Sequence, residues 1–397
     1  MCQIDSIYPK VNAMNTNKKI PTLYLLSVIA LGTHATCNAD VSLTSDSDWK
    51  ASVSGSLPVF MVISDFDKGE EEKATRIMSG FNPVNLTFHV FAPEFNGVTV
   101  SSHVQIDTHL QGSQSQNSGT FESRVAEIKI SGDFGTFNAG KGFGIFNSSA
   151  IGDLGSGMGV GLLGGGADTG NATGGRIGTG YVYANFNPRV MYSSNDINGL
   201  TFKVGLFNPE EPTNAAGTVE TALPRIEGQV NIAFTSQNAD IKLWSGFMWQ
   251  EVELVVEDVD YDMRGIDIGF HLDAGVFGLT AAYTDTLGIG ADGLYGFDAI
   301  SDADVDGSQW YIEGDVAVGK STFGVSYGEG DQDSHTSPFV VPDIKNELAM
   351  FFLRHKVTPN LTIMGELQKY ESTTKTATTS MTTTKYNALA LGFQFDF

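Results

Sequence analysis

The chain has 397 residues, a formal net charge of −23, and 41% hydrophobic against 17% charged residues. So acidic a composition lacks the basic face that phosphate backbones require, which excludes nucleic-acid binding. Near-average hydrophobicity excludes a bundle of membrane helices, and 46 glycines with 26 phenylalanines favour strands and turns over helices.

The N-terminal segment reads as an export signal. Asn15 to Lys19 is a polar, basic stretch, Ile20 to Leu31 an apolar core, and Cys37-Asn38-Ala39 supplies small residues for cleavage, with a second candidate site at Ala35. A basic region directly after Met14 makes Met14 the expected start, with residues 1–13 an upstream extension. The apolar run is shorter than the about 20 residues that a spanning helix needs. Residues 1–39 are therefore expected to be a leader and 40–397 a single domain. Cleavage removes three lysines and one aspartate, which leaves a mature charge of −25, and it removes both cysteines, Cys2 and Cys37. Disulfide scaffolds, thiol nucleophiles and thiolate metal sites are excluded on that reading.

Beyond the leader, the chain is a succession of alternating segments. Ile226, Val230, Ile232 and Phe234 alternate with Glu227, Gln229, Asn231 and Thr235; Ile266, Ile268 and Phe270 alternate with Asp267, Gly269 and His271. Leu361, Ile363 and Leu367 face away from Thr362, Glu366 and Gln368, and Leu389 through Phe397 alternate with Ala388, Gly392, Gln394 and Asp396. Seven tight turns lie at 93–97, 132–135, 195–199, 236–239, 275–278, 319–321 and 358–360. Eight longer polar connections lie near 64–80, 111–120, 142–178, 209–223, 252–262, 286–308, 328–345 and 370–384. Short and long connections alternate strictly. That pattern predicts an all-β, antiparallel, up-and-down transmembrane barrel of about 16 strands, with short periplasmic turns and long extracellular loops. A soluble sandwich has no reason to sort its loops by length.

With that layout in place, the segment from Gly132 to Asn147 resembles the strand-to-loop signature of the trimeric Gram-negative general porins, in which a Phe-Gly-Thr turn leads into a strand ending in Gly-Arg. Pro188 to Tyr192 followed by Asn198 to Phe202 is similar to the next hairpin of that family, and the strand ending in Phe393, Phe395 and Phe397 to its assembly signal. The resemblance implies a homotrimer of water-filled diffusion pores for small hydrophilic solutes, inserted by the barrel-assembly machinery. It also implies a third loop, here 142–178, folded inward to narrow each pore. That loop has only Asp153 and Asp168 as carboxylates and lacks the family's Pro-Glu-Phe-Gly stretch; Lys141 stands where the family has arginine, which keeps the charge and loses the fork.

Alternation puts Lys50, His89 and Arg189 on the polar faces of the first, second and sixth strands, and the motif puts Lys141 near them. These four are expected to form a basic wall opposite Asp153 and Asp168; Lys50 also reads as a charge near the periplasmic rim, away from the narrowest point. Phe143 and Phe146 either stack on sugar rings, in a substrate-preferring pore, or pack against the wall. Acidic runs at Glu70 to Glu72, Glu210-Glu211, Glu251 to Asp262 and Asp302 to Asp306 are expected to concentrate cations at the mouth and to bind divalent ions beside lipopolysaccharide. Asp302, Asp304 and Asp306 with Glu313 at the twelfth position match the spacing of a calcium loop, although no helical pattern flanks them. No nucleophile–base signature, zinc-protease motif or phosphate-binding glycine loop is present, so an enzyme is not expected. A surface barrel with a closed lumen is the reading from another class.

Overall fold

In a computed structural model of the chain, the described residues are 41–43, 48–66, 73–80, 82–110, 121–155, 175–209, 219–255, 258–290, 305–334, 341–375 and 381–397. They contain strands and turns and no α-helix. The elements are β1 (Val41–Ser42), β2 (Lys50–Phe66), β3 (Lys73–Met78), β4 (Val84–Phe91), β5 (Thr99–Thr108), β6 (Ala126–Gly132), β7 (Gly135–Phe143), β8 (Phe186–Ser193), β9 (Leu200–Phe207) and β10 (Val219–Glu220). There follow β11 (Arg225–Thr235), β12 (Asp240–Leu254), β13 (Val259–Ala274), β14 (Phe277–Leu287), β15 (Asp306–Val318), β16 (Ser321–Gln332), β17 (Asp343–Thr358), β18 (Leu361–Lys375) and β19 (Thr382–Asp396). The leader, Asp168, Asp302 and Asp304 lie outside the described residues.

Sequential strands pair antiparallel, and β19 closes on β2 from Tyr386↔Phe66 to Asp396↔Ser56. β3 and β4 pair with successive stretches of β2, so together they form one barrel strand, interrupted between Ser79 and Pro83. The break falls where Gly80 takes a φ of 86° and Pro83 has no amide to donate. Counting that pair as one strand, and setting aside the two-residue β1 and β10, the barrel has the expected 16 strands.

Alternation along each strand sorts side chains between lipid and lumen. On β19, Leu391, Phe393 and Phe395 are exposed on the outer surface, whereas Ala388, Ala390, Gln394 and Asp396 point inward and are buried. On β13, Ile266 and Ile268 face out and Asp267 faces in. All seven tight turns lie where the alternation sets them. Two are two-residue hairpin loops, Asn96-Gly97 and Asn198-Gly199, with every φ positive (51°, 78°, 56° and 89°), the conformation in which asparagine and glycine are tolerated best.

Several connections at the opposite end are shorter than expected. β12 and β13 run to Leu254 and from Val259, so much of 252–262 is strand; β16 reaches Gln332, β17 begins at Asp343, and β18 reaches Lys375. Acidic or threonine-rich runs mark these stretches as loop in the sequence. Above the bilayer both faces of a strand meet water, so polarity no longer distinguishes strand from loop.

The closing seam is tight at Gly55. Its N–H donates to Phe397 O (2.8 Å) and its carbonyl accepts from Phe397 N (3.0 Å). A Cβ there would lie 2.6 Å from Asn85 O and 2.7 Å from the Phe397 ring, whereas one at Gly314 would meet nothing within 4 Å. Gly55→Val is therefore expected to lower the yield of the compact, heat-modifiable barrel band on gel electrophoresis, and Gly314→Ala to leave it unchanged.

Candidate functional site: the third loop and the lumen wall

Between β7 and β8 the chain turns inward. Its described parts, 144–155 and 175–185, lie along the inner faces of β11 and β13–β17. What holds them there is a set of wall carboxylates that accept backbone amides. Glu227 on β11 accepts from Ile145 N (2.6 Å) and Phe146 N (3.0 Å), and Asp267 on β13 accepts from Asn147 N (3.1 Å). Glu313 on β15 accepts from Leu154 N (2.5 Å) and Gly155 N (3.1 Å). Such charge-assisted bonds are about twice as strong as neutral ones, and a non-repeating loop has amides to offer because it forms no ladder of its own.

Wall donors meet the loop's carbonyls in turn. Tyr311 Oη donates to Ala150 O (2.7 Å), and Arg354 donates to the carbonyls of Leu154 (2.7 Å) and Gly155 (2.5 Å) while also pairing with Glu366. On the returning leg Arg176 is fully buried, donates to Ser326 Oγ, and stands over the Tyr311 ring at 5.5 Å. Arg225 balances Glu227 at 2.8 Å, while Asp267 and Glu313 are held by the main-chain amides they accept.

Glycines in the wall let the loop approach. A Cβ on Gly265 would lie 2.4 Å from the Phe146 ring, and Cβ atoms on Gly328 and Gly330 would lie 2.2 and 2.1 Å from the carbonyls of Thr179 and Gly178. Phe146 is thus buried against β12 and β13, and Phe143 packs on Tyr183 and Phe186 at 5.7 and 5.1 Å. Both rings are packing groups in this structure, not a sugar platform.

Several expected site residues occupy other roles. Asp153 is 1% exposed; it pairs with Arg176 (3.8 Å) and accepts from Tyr181 Oη (3.2 Å), so it belongs to the latch and does not face pore water. Burial, reinforced by Asp153, pushes the Tyr181 hydroxyl well above its ordinary value of 10, so it stays a donor. Arg189 does face the lumen, where it binds Glu127 at 2.8 Å and lies over the space left by Gly142. His89 faces the lumen on β4 beside His103, and Lys50 lies on the lumen face of β2 in register with Phe91, close to the periplasmic turn.

Lys141 departs from expectation. Asn138, Gly140 and Gly142 share the inner face of β7, and the register to β6 and β8 is unbroken, so Lys141 falls on the outward face with Ala139 and Phe137. The lumen position next to it is filled by Arg189 instead. The structure also separates the two described members of the calcium-loop pattern. Asp306 is exposed at the start of β15, while Glu313 lies seven residues on, about 23 Å along an extended strand, with its carboxylate inside the latch. The two cannot share one ion.

The latch residues Glu227, Asp267 and Glu313 are legible in the sequence as acids on inward faces, but nothing there marks their partners, which are main-chain amides. Removing Glu313 leaves the Leu154 and Gly155 amides unpaired, at roughly 1–3 kcal/mol each. Glu313→Ala, and separately Gly330→Val, are expected to free the loop. The measurement is single-channel recording together with limited proteolysis, which should show added conductance substates and a new cut within 144–185 for both variants.

Residues 25–375 match the Gram-negative porin family. The fold is similar to that of the outer membrane channel DcaP of Acinetobacter baumannii at a TM-score of 0.65 and 13% identity, covering 89% of this chain and 99% of that one. It is also similar to an anion-selective porin from Comamonas acidovorans (TM-score 0.62, 15% identity, 88% and 100% covered) and to the trimer form of Vibrio cholerae OmpT (0.56, 13%, 88% and 99%). No curated protein matches the sequence. At such identities the solved structures speak for the fold, and the family match speaks for descent. A closed 16-strand barrel, a lipid-facing apolar surface and a third loop latched inside the lumen agree with that match: the chain belongs to the Gram-negative porins, the channel-forming barrels of the outer membrane.

Proposed function

We propose that the chain is a passive diffusion channel for small hydrophilic solutes and ions, assembled as a homotrimer, with a modest preference for cations. The observation that carries this is an asymmetry of the lumen. The wall under the third loop is covered: Asp267, Thr284, Tyr311, Glu313 and Phe352 are each at most 1% exposed. The inner faces of β4–β6 are more open: Asp107 and Glu127 are buried, but His89, His103, Gln105 and Lys129 are partly accessible, the Lys129 side chain at 36%. A loop fastened to one side leaves room on the other, and the polar residues there suit water and hydrated solutes.

Cation preference draws on the net charge of −23 and the acidic extracellular connections. Lys129 and Arg189 on the lumen side oppose it, both tied to the one carboxylate of Glu127, which keeps the preference modest. A mouth field is screened strongly as salt rises, since the Debye length falls from about 10 Å at 0.1 M to about 3 Å at 1 M. In a planar bilayer, the reversal potential under a salt gradient is expected to have the cation sign near 0.1 M and to shrink toward zero near 1 M. An anion sign at low salt would put the lysine wall in control. Absence of any conductance would favour the closed surface barrel.

Lipopolysaccharide is the proposed lateral partner at the outer rim. On the outward face of the β12–β13 hairpin, Glu251 lies opposite Asp262 and Glu253 opposite Asp260, all exposed. Like charges directly opposed in a sheet are unfavourable, and divalent ions shared with lipid phosphates would relieve them. Chelating divalent ions from lipopolysaccharide-bound protein is therefore expected to lower its thermal midpoint, and the pair Glu251→Gln with Glu253→Gln to remove that sensitivity. Phe393 and Phe395, exposed on β19, support recognition by the barrel-assembly machinery.

A further inference from the structure

On the uncovered side of the lumen two imidazoles meet across a strand pair. His89 on β4 and His103 on β5 are in register, and their Nδ1 atoms are 2.7 Å apart, with ring centroids at 4.8 Å and planes at 81°. Each ring is held from behind by a serine: Ser54 Oγ is 2.9 Å from His89 Nε2, and Ser101 Oγ is 3.2 Å from His103 Nε2. At 2.7 Å one Nδ1–H donates to the other Nδ1; moving that proton to Nε2, where a serine oxygen accepts it, leaves both Nδ1 lone pairs for a cation. A hydrogen-bonding group behind each imidazole is also the arrangement that orients histidine toward a metal.

We propose that His89 and His103 form a two-imidazole site for a borderline divalent transition ion, taking Cu²⁺ most tightly and Zn²⁺ less so, with water completing the coordination. Imidazole nitrogen suits these ions, and the order of affinities favours copper. Metal–nitrogen bonds of about 2.0–2.1 Å place two cis nitrogens about 2.9–3.4 Å apart, so the rings need to open by only a few tenths of an ångström. The ring of Phe91 flanks both histidines, with centroids at 6.5 Å from His89 and 5.9 Å from His103, and limits their swing.

The charged neighbours pull in both directions, Glu127 favouring a cation and Lys129 and Arg189 weakening its binding. Glu127 on β6 is in register with His103 and is tied to Lys129 at 3.1 Å and Arg189 at 2.8 Å, so the two nearby cationic side chains share a carboxylate. Among the described residues no group of three or more His, Cys, Asp and Glu converges on one point, so the protein supplies two ligands and the site is labile. A labile site part-way along a pore slows an ion's passage without trapping it, as multi-site conduction requires. This goes beyond the diffusion reading and does not depend on it.

The test is Cu²⁺ titration of the purified, untagged protein, followed by electron paramagnetic resonance. The expected spectrum carries the hyperfine pattern of two imidazole nitrogens at one equivalent of copper. His103→Gln should reduce it to one nitrogen and weaken binding at least about tenfold, and Ser101→Ala should weaken binding while keeping two nitrogens. Should His103→Gln fail to give the heat-modifiable barrel band, His89→Gln gives the same reading from the other strand. A two-nitrogen signal that survives either substitution, or no copper bound at stoichiometric concentration, overturns the proposal. Because the readout is spectroscopic, it stands or falls separately from conductance.

Discussion

A backbone that crosses hydrocarbon has no water to bond, so an amide left unpaired there is costly and a sheet in lipid must close on itself. That requirement decides most of this molecule. It brings β19 to β2 and tolerates the interruption between β3 and β4, where Gly80 and Pro83 lie. It also accounts for the close fit at Gly55, where the two ends of the sheet meet through paired main-chain bonds to Phe397.

The same requirement recurs inside the lumen and is met differently there. The third loop brings main-chain donors and acceptors into the barrel without a ladder to satisfy them. Wall side chains serve in its place: carboxylates of Glu227, Asp267 and Glu313 for the amides, and Arg354 and Tyr311 for the carbonyls. Glycines at 265, 328 and 330 provide the space. The loop is thereby treated as an additional layer of the wall, and Asp153 is consumed in holding it together with Arg176 and Tyr181.

Barrel, strand number and turns were legible in the sequence because each rests on a local signal: period-two alternation through lipid, and turn residues such as Asn96-Gly97 and Asn198-Gly199. Loop ends were less legible, since outside the bilayer strands such as β12 and β13 carry acids on an exposed face, and acids read as loop. Site residues were least legible. The orientation of Lys141 depends on parity carried through Gly140 and Gly142, which have no side chains to reveal it. The partners of Glu313 are amides, identical at every non-proline residue, and only the fold selects Leu154 and Gly155. The cross-strand meeting of His89 and His103 depends on the register of β4 with β5, which two separate histidines in a list of residues do not disclose.

The one-sided seating of the third loop divides the barrel's inner surface into two halves with different freedom to vary. On β13–β17 a lumen residue is bound up with the loop, so most replacements there carry a folding penalty. On β4–β6 the inner side chains bond to one another and to β2, β7 and β8, so their charge and size can drift without freeing the loop. Natural or laboratory variants with altered uptake of antibiotics or nutrients should therefore accumulate on that half, while the other half remains a fixed frame.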